Sequence, residues 1–410
     1  MIETSIGYGE QLRSRADAIA TACVHAGEEP DASGALDPPI VLSSAFAFES
    51  AEHAARAFRG EEEAWIYGRW GNPTVLSLEK KLAALEGAEA ACATASGMAA
   101  IAGVVLAHCG AGDHIVAPRA MYAESARLFR ERLPKLGITT TFVDGTREAY
   151  AAAITTSTRI LYVETPSNPT LGVVDIEGIA ELAHALSPSP MVVVDGTFAT
   201  PFAQTPLAHG ADLVVHSMTK GISGHGDVIG GAVCGAEAAI ARIRETVIKG
   251  FGGVLSPLSA WLVARGLRTF ALRQERACAT AASLAKHLAA HPRVAVVHHP
   301  SLPSHPGHAL AQKQMHAYGA LFAFELAGGS PGEALDRGRR VLEALRVATH
   351  AVSLGDVRTL VVHPASTTHS TMPEEARRLA GISDGLLRVS CGLEAAADLV
   401  ADLDQALASA

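Results

Sequence analysis

The sequence predicts an α/β fold with a mainly parallel sheet, followed by a smaller α+β domain. Two observations carry this prediction. Short apolar runs alternate with helical stretches between residues 65 and 260, and a long helical stretch then precedes a second group of short strands. With 410 residues, 49% of them hydrophobic and 18% charged, the chain is long and apolar enough to bury a large core.

Within the first domain, several of the predicted strands are continuous apolar runs, as a sheet covered on both faces requires. The predicted strands are 114–117, 139–143, 160–163, 191–194 and 213–216. Residues 75–86 predict a helix that Gly87 ends, with apolar side chains at helical spacing and with Lys80 and Lys81 pointing to solvent. Residues 90–107 predict a buried helix with a loop rather than a membrane span.

The smaller domain is predicted to begin with the helical stretch after residue 260 and to end with a helix from Glu394. Its predicted strands are 294–298, 321–326, 360–363 and 386–390. Residues 1–64 lack this alternation and predict an arm that packs on another surface, which we expect to be a neighbouring subunit. The predicted division is therefore 1–64, 65–260 and 261–410.

Charge and cysteine usage exclude several classes of function. Lys and Arg number 33 against 42 Asp and Glu, so the net charge of −9 argues against binding nucleic acid. The first twenty residues show no secretory signal, and we expect a cytoplasmic protein without a membrane partner. Six scattered cysteines without a CxxC pair argue against a disulfide framework, and most histidines of the 287–308 region are expected on the surface, so we predict no metal site.

Lys220 is the strongest candidate for a chemically active side chain. It follows the apolar run ADLVVHSMTK and precedes the glycine-rich GISGHGDVIGG. Partial burial there would lower the pKa of its amine and make it available for a Schiff base, whereas the alternative is a loop lysine facing water. Asp195 ends the strand MVVVD at the same predicted sheet edge and could keep a pyridinium nitrogen protonated, although such an Asp often caps a helix.

The segment ATASGMAAI is a candidate phosphate site. Ser96, Gly97 and Met98 open a predicted helix whose free N–H groups can bind a dianion, and Ser217 and Thr219 could add hydroxyl donors. Alone, this pattern is more often a simple helix cap. No GxxxxGK[ST] or GxSxG occurs, and Ile229 stands where a dinucleotide fingerprint needs its third glycine, which excludes ATP, serine-hydrolase and NAD interpretations.

The ordered motifs resemble the Cys/Met-metabolism enzymes that use pyridoxal phosphate, a family that includes cystathionine γ-synthase, cystathionine γ-lyase, methionine γ-lyase and O-acetylhomoserine sulfhydrylase. The resemblance spans nearly the whole chain. It is carried by TACVHAGE, YGRWGNPT, ATASGMAAI, VETPSNPT, VVDGTFATP, HSMTKGISGHGDVIGG, AVSLGD, HPASTTHS and GLLRVSCGLE. It implies the type I fold of pyridoxal-phosphate-dependent transferases, which is aspartate aminotransferase-like, and a homotetramer built as a dimer of catalytic dimers.

The resemblance also implies roles for individual residues. Pyridoxal 5′-phosphate would be bound covalently to Lys220, with Asp195 at its ring nitrogen and Tyr122 stacked on the ring, and these three are the catalytic residues. The other implied cofactor-binding residues are Ser96, Gly97, Met98, Asn168, Thr197, Ser217 and Thr219, with Tyr67 and Arg69 reaching the phosphate from the neighbouring subunit. On the substrate side they are Arg388, which would bind the α-carboxylate, with Ser353, Thr368, Glu124 and Val352.

The activity implied is α,γ-elimination from L-methionine or a related thioether amino acid, giving 2-oxobutanoate, ammonia and a thiol. Val352 favours this activity, because cystathionine-handling members usually have Glu there. Methionine γ-lyases usually have Cys at Glu124 and Asp at Gly250, so both positions depart from their pattern. The alternatives are a γ-replacement transferase of the O-acetylhomoserine sulfhydrylase or cystathionine γ-synthase type, a cystathionine γ-lyase, or a binding protein without turnover.

Overall fold

The computed structural model describes residues 3–30, 33–328, 330–370, 374–379 and 381–409. Its helices are α1 (Glu3–His25), α2 (Ala51–Arg59), α3 (Pro73–Glu86), α4 (Gly97–His108), α5 (Ala123–Arg127), α6 (Arg147–Ala153), α7 (Ile176–His184), α8 (Thr200–Ala203), α9 (Glu237–Ile243), α10 (Pro257–Leu267), α11 (Phe270–Ala289), α12 (His308–Gln314), α13 (Pro331–Ala344), α14 (Glu374–Leu379) and α15 (Ala396–Ala408). Its strands are β1 (Ala90–Thr94), β2 (His114–Pro118), β3 (Thr139–Val143), β4 (Thr158–Glu164), β5 (Met191–Asp195), β6 (Leu213–Ser217), β7 (Gly231–Gly235), β8 (Val294–His298), β9 (Leu321–Leu326), β10 (Thr349–His350), β11 (Leu360–Val362) and β12 (Leu386–Ser390).

A seven-stranded sheet forms the centre of the large domain, in the order β1-β7-β6-β5-β4-β2-β3. The five predicted strands are all present as β2 to β6, and they are parallel to one another. Strands β1 and β7 were not predicted from the sequence. Strand β7 lies antiparallel between β1 and β6, so the sheet is mixed at this edge.

Residues 90–107 differ from the prediction of a helix with a loop. Ala90–Thr94 is strand β1, and helix α4 begins only at Gly97. The strand consists of Ala, Cys and Thr, and all its residues after Ala90 are buried. Such small side chains fit a strand packed closely on both faces, but they give no period-2 pattern from which the strand could be predicted.

Both faces of the sheet are covered by apolar side chains. On one face Ile115, Tyr162 and Val215 pack with residues of α4, and on the other Val163 and Val194 pack with residues of α7. This is the arrangement that continuous apolar strands require, because neither face can be left in water. The layers leave the carboxyl ends of β4, β5 and β6 open at one edge.

The smaller domain contains a five-stranded sheet in the order β10-β11-β12-β9-β8, which is antiparallel except for the pair β10 and β11. Its four predicted strands are confirmed as β8, β9, β11 and β12. Leu284 of α11 and Leu403 of α15 are buried with Phe322 and Val389 in its core. The sheet holds β12 beside the edge of the large domain.

The N-terminal segment begins with a helix that packs on its own chain. Leu12, Ile19 and Cys23 of α1 are buried in the same core as residues of α11. Much of the segment between α1 and α3 is exposed, including Leu36 and Leu42. A contact of this exposed part with a neighbouring subunit remains a prediction.

The prediction that Lys81 points to solvent is wrong. Its side chain is fully buried, and its Nζ donates to the carbonyl oxygens of Cys23 and Val24 and to Glu28 Oε1, the last at 2.6 Å. Lys80, one residue earlier, is half exposed and pairs with Glu29, as predicted for a solvent-facing side chain. Helical spacing alone cannot separate the two because α3 is enclosed on more than one side.

Within the part of the chain that the structure describes, no helix is long and apolar enough to cross a membrane. The same residues contain no group of three or more His, Cys, Asp or Glu side chains arranged to hold a metal ion. All six cysteines are free thiols.

Candidate active site

A cavity of about 480 Å³ lies where the carboxyl ends of β4, β5 and β6 meet the N-terminus of α4 and the smaller domain. Nearly all the predicted site residues line it. They are Ser96, Gly97, Met98, Tyr122, Glu124, Asn168, Asp195, Thr197, Ser217, Thr219, Lys220, Val352, Ser353, Thr368 and Arg388. Parallel strands place their carboxyl ends at one edge, which explains why residues far apart in the sequence meet here.

Lys220 lies three residues beyond β6, and its partly buried side chain lines the cavity. Its Nζ donates a hydrogen bond of 2.7 Å to Ser353 Oγ from the smaller domain. Burial lowers the pKa of the amine, and the positive charge of Arg388 lowers it further. A larger fraction of the neutral, nucleophilic amine is therefore present than for an exposed lysine.

Asp195 is the last residue of β5 and is buried. Its Oδ1 accepts the backbone N–H of Thr197 at 3.0 Å, and its Oδ2 accepts the hydroxyl of Tyr162 at 3.1 Å. The next helix, α8, begins five residues later with Ala199 at its N-cap, so Asp195 does not serve as that cap. The carboxylate is held by two donors and suits a protonated ring nitrogen.

The N-terminus of α4 forms a concave backbone surface beside Ser217. Ser96 caps this helix, since its Oγ accepts the N–H of Ala99 at 3.1 Å. Gly97 approaches Ser217 so closely that a Cβ on Gly97 would lie 2.9 Å from the Cβ of Ser217. The sequence therefore needs glycine here for space, and a helix N-terminus with an adjacent hydroxyl fits the phosphate of the implied cofactor.

Two threonines accept backbone hydrogen bonds beside this surface. Thr197 Oγ1 accepts the N–H of Ser217 at 3.0 Å. Thr219 Oγ1 accepts the N–H of Gly230 at 3.0 Å, which joins the loop after β6 to the start of β7. These bonds connect Ser217 and Thr219, which precede Lys220 in the chain, to neighbouring loops.

Arg388 lies on β12 and projects from the smaller domain into the cavity. Its Nη1 donates to Asn168 Oδ1 at 2.8 Å, and its Nη2 donates to the carbonyl oxygen of Ser353 at 3.0 Å. Burial lowers the pKa of the guanidinium to about 10. Its buried Nε has no hydrogen-bond partner among the described residues. A guanidinium lining a cavity is suited to binding an anionic group such as a carboxylate.

Tyr122 lies at the start of α5, with part of its ring exposed to the cavity. Burial raises the pKa of its phenol, and the negative charge of Glu124 raises it further. The phenol is therefore held in its protonated form. Glu124 itself is half exposed and lies 3.9 Å from Arg127.

Sequence reasoning missed several residues of the cavity wall, chiefly Glu164, Phe198 and His369. Glu164 stands within the quoted motif VETPSNPT, and its position at the end of a predicted strand could have marked it as it marked Asp195. His369 is a buried neighbour of Arg388, and burial lowers its pKa to about 4. The motif HPASTTHS alone does not show that His369 lies beside Arg388, because this contact depends on the fold.

Tyr67 and Arg69 do not line the cavity of their own chain. The Arg69 guanidinium lies 5.5 Å from the ring centre of Tyr67, and its Nη1 donates to the carbonyl oxygen of Lys249. Arg69 instead lines a separate cavity of about 440 Å³ with Trp65 and Trp70. A single chain thus lacks these two predicted phosphate contacts.

Comparison with known proteins gives consistent results. The model of the Cys/Met metabolism PLP-dependent enzyme family matches residues 20–408. The chain is 45% identical over 391 residues to an L-methionine gamma-lyase of Fusobacterium nucleatum subsp. polymorphum, covering 95% of this chain and 98% of the relative. The corresponding protein of Pseudomonas putida is 43% identical, with 95% and 97% covered.

Two further relatives carry other descriptions. An O-succinylhomoserine sulfhydrylase of Pseudomonas aeruginosa is 39% identical over 395 residues, covering 96% of each chain. The crystal structure of metB from Corynebacterium glutamicum superposes with a TM-score of 0.88 at 37% identity, covering 95% of this chain and 97% of the other.

Proposed function

Because the chain belongs to the Cys/Met metabolism PLP-dependent enzyme family, we propose that it is a carbon–sulfur lyase acting on L-methionine or a related thioether amino acid. Its cofactor is pyridoxal phosphate, and its fold is the type I fold of the enzymes that use this cofactor. The products would be 2-oxobutanoate, ammonia and a thiol. Methionine gamma-lyases at 42–45% identity support this assignment.

One observation carries the proposal: a lysine amine, an aspartate and a buried arginine face a single cavity. When bound, pyridoxal phosphate supplies an electron sink for negative charge at the substrate Cα. Lys220 would hold the cofactor and serve as the base at Cα, because its lowered pKa leaves the amine able to accept a proton. Asp195 would keep the ring nitrogen protonated.

The remaining residues would bind the substrate and protonate the leaving group. Arg388 would bind the α-carboxylate through its guanidinium, held in place by Asn168 and Ser353. Tyr122 would donate its proton to the departing sulfur, since the raised pKa keeps the phenol protonated. The α-carboxylate would thus be fixed at the Arg388 side of the cavity before bond cleavage.

A γ-replacement activity is the second candidate, supported by sulfhydrylases at 39–41% identity. The two are separated by measuring 2-oxobutanoate from methionine and the replacement product from an O-acyl homoserine with sulfide. We expect the keto acid to be the main product. A replacement product formed in preference to keto acid would reject the lyase.

We also propose that the active protein is a homotetramer of catalytic dimers in the cytoplasm. Tyr67 and Arg69 lie outside their own cavity, where a second chain could use them. Exposed Phe58, Tyr67 and Phe251 add apolar surface suited to a subunit contact. Six free thiols agree with a reducing compartment.

The central role of Lys220 is tested by Lys220→Ala. The variant should fold, as judged by circular dichroism, but should lose turnover completely and should show no borohydride-fixed cofactor adduct on peptide mapping. Lys313→Ala, at an exposed lysine of α12, is the control and should keep both properties. Normal turnover in Lys220→Ala would refute the assignment.

A further inference from the structure

Glu164 lines the candidate active site, and its carboxylate accepts hydrogen bonds from two different loops. Glu164 is the last residue of β4 and is directly paired with Asp195 on β5. Only 4% of its surface is exposed. A buried carboxylate is costly unless its oxygens accept hydrogen bonds, so its contacts indicate what it is there to hold.

Each oxygen of this carboxylate accepts a backbone N–H from a different loop of the cavity. Oε2 accepts the N–H of Tyr122 at 2.8 Å, and Oε1 accepts the N–H of Asn168 at 3.0 Å. Tyr122 follows β2, whereas Asn168 follows β4. The carboxylate is thus a bridge between two loops that both line the cavity.

The bridge also reaches the smaller domain. Asn168 Oδ1 accepts the hydrogen bond from Arg388 Nη1 at 2.8 Å. A shift of the Asn168 backbone would therefore move the acceptor that orients the guanidinium. Tyr122 and Arg388 both line the cavity, and both are connected to the same carboxylate, Tyr122 directly and Arg388 through Asn168.

Charge on this carboxylate is not balanced by a cation in contact with it. The described residues show no ion pair for Glu164, and its only hydrogen-bond donors are the two amides. Burial and the negative charge of Asp195 raise the pKa of Glu164, whereas the hydrogen bonds from the two amides favour its charged form and lower the pKa. The two amide hydrogen bonds are the interactions that favour the charged form of this buried group.

We propose that Glu164 is a positioning residue that fixes Tyr122 and Asn168 relative to each other, and through Asn168 the guanidinium of Arg388. The proposal rests on the proposed function, which assigns the phenol and the guanidinium their roles. Glutamine at position 164 would keep the shape but offer one acceptor oxygen, and its NH₂ would face one of the two backbone N–H groups. One loop would then lose its anchor.

The test compares Glu164→Gln with Asp402→Asn. Asp402 is also a buried carboxylate that accepts backbone N–H groups, those of Arg346, Val347 and Ala348, but it lies in the smaller domain outside the cavity lining. Both variants should be less stable than the wild type. Only Glu164→Gln should alter the circular dichroism of the bound cofactor, which reports the placement of its ring.

Kinetics and amide exchange complete the experiment. Glu164→Gln should lower kcat/KM by about 10- to 100-fold with contributions from both kcat and KM, because small displacements of positioned groups have effects of this size. Without cofactor, peptides containing Tyr122 and Asn168 should exchange their amide hydrogens faster than in the wild type. Asp402→Asn should leave kcat/KM and these peptides unchanged.

Retention of native cofactor dichroism and native kcat/KM in Glu164→Gln would overturn the proposal and leave Glu164 a structural residue only. If that variant does not fold, Glu164→Asp tests the proposal instead. Aspartate keeps both acceptor oxygens and the charge, but its side chain is one methylene shorter, so the oxygens lie farther from the two backbone N–H groups. Altered dichroism in Glu164→Asp supports the proposal, and native dichroism overturns it. A wild type without a Lys220 adduct would instead refute the proposed function.

Discussion

Gly97 leaves little room for added volume where the N-terminus of α4 meets Ser217, the surface proposed to bind the cofactor phosphate. A methyl group there would lie 2.9 Å from Ser217 Cβ and 3.1 Å from its Cα. We expect Gly97→Ala to raise the Kd for pyridoxal phosphate by about tenfold or more, since overpacking costs about 1–3 kcal/mol. Cofactor titration of the apoprotein by fluorescence measures this.

The control for that experiment is Gly332→Ala, at a helical glycine of α13 with no atom within 4 Å of an added Cβ. Its Kd should equal that of the wild type. Equal cofactor affinity in Gly97→Ala would show that the close contact with Ser217 does not matter for the phosphate.

His299 gives a prediction about acid stability. Its ring is fully buried, and burial lowers its pKa to about 4, with a smaller effect from His305. In the unfolded chain a histidine takes up its proton near pH 6.5, so between about pH 6.5 and about 4 the unfolded state binds more protons. The stability that His299 contributes by staying neutral is therefore present above this window and is lost as the pH falls through it.

The measurement is the urea unfolding midpoint at about pH 7 and about pH 5, for the wild type and His299→Gln. The midpoint of the wild type should fall more steeply on acidification than that of the variant, whatever their difference at neutral pH. His25→Gln, on the exposed last turn of α1, should behave like the wild type. Parallel falls in wild type and His299→Gln would contradict the assignment.

How far the site could be predicted depends on the kind of signal each residue gives. Lys220 and Asp195 end or follow apolar runs, and parallel strands bring such ends together, so their meeting could be foreseen. Glu164 also ends a strand, yet its function lies in two backbone contacts that depend on loop conformation. Contacts of that kind have no sequence period and become visible only in the folded chain.

At the scale of elements, a buried lysine fastens the N-terminal segment to α3. Lys81 Nζ donates to two carbonyl oxygens in the last turn of α1 and to the carboxylate of Glu28. Glu28 also accepts from Arg268, which follows α10. Lys81→Met should lower the free energy of unfolding by about 1–3 kcal/mol, because buried acceptors lose their donor. Urea unfolding at one fixed protein concentration measures the loss.

Lys80→Met provides the matched control one residue earlier. Lys80 pairs with Glu29 at 3.1 Å, and both side chains are at least half exposed. Such a surface pair contributes less than about 1 kcal/mol. If Lys80→Met and Lys81→Met lower the free energy of unfolding equally, burial of Lys81 does not make its contacts more stabilising than those of Lys80.

Strands differ in how well their sequences reveal them. Strands β4 and β5 are rich in Val, Ile, Leu and Tyr and were predicted within two residues at each end. Strand β7, Gly231–Gly235, contains the small residues Gly, Ala and Cys with one Val. Its strand conformation follows from pairing with β1 and β6 on both sides, a tertiary effect that local propensity does not contain.

At the scale of the whole molecule, the proposed composite site predicts complementation between two impaired variants. Arg69→Ala and Lys220→Ala each damage a different chain's contribution to one cavity. Co-refolding equal amounts should restore roughly a quarter of the wild-type activity, since random pairing leaves that fraction of sites intact. Activity assays on the isolated mixed oligomer provide the measurement.

Variants mixed without unfolding serve as the control and should show only the activity of Arg69→Ala, provided the subunits do not exchange. If the mixed oligomers recover no activity, Arg69 acts in the cavity of its own chain and not in that of its neighbour. That result would leave the proposed role of Arg388 unchanged, because Arg388 and Lys220 line the same cavity within one chain.

The bond between Arg388 and Asn168 joins residues 220 positions apart. A ribosome synthesises Asn168 long before Arg388, so a nascent polypeptide that already contains the complete large domain still lacks the guanidinium of β12. Assembly of the catalytic pocket is consequently one of the last events in the biogenesis of each chain, and premature stop codons before residue 386 remove it however well the preceding sequence folds.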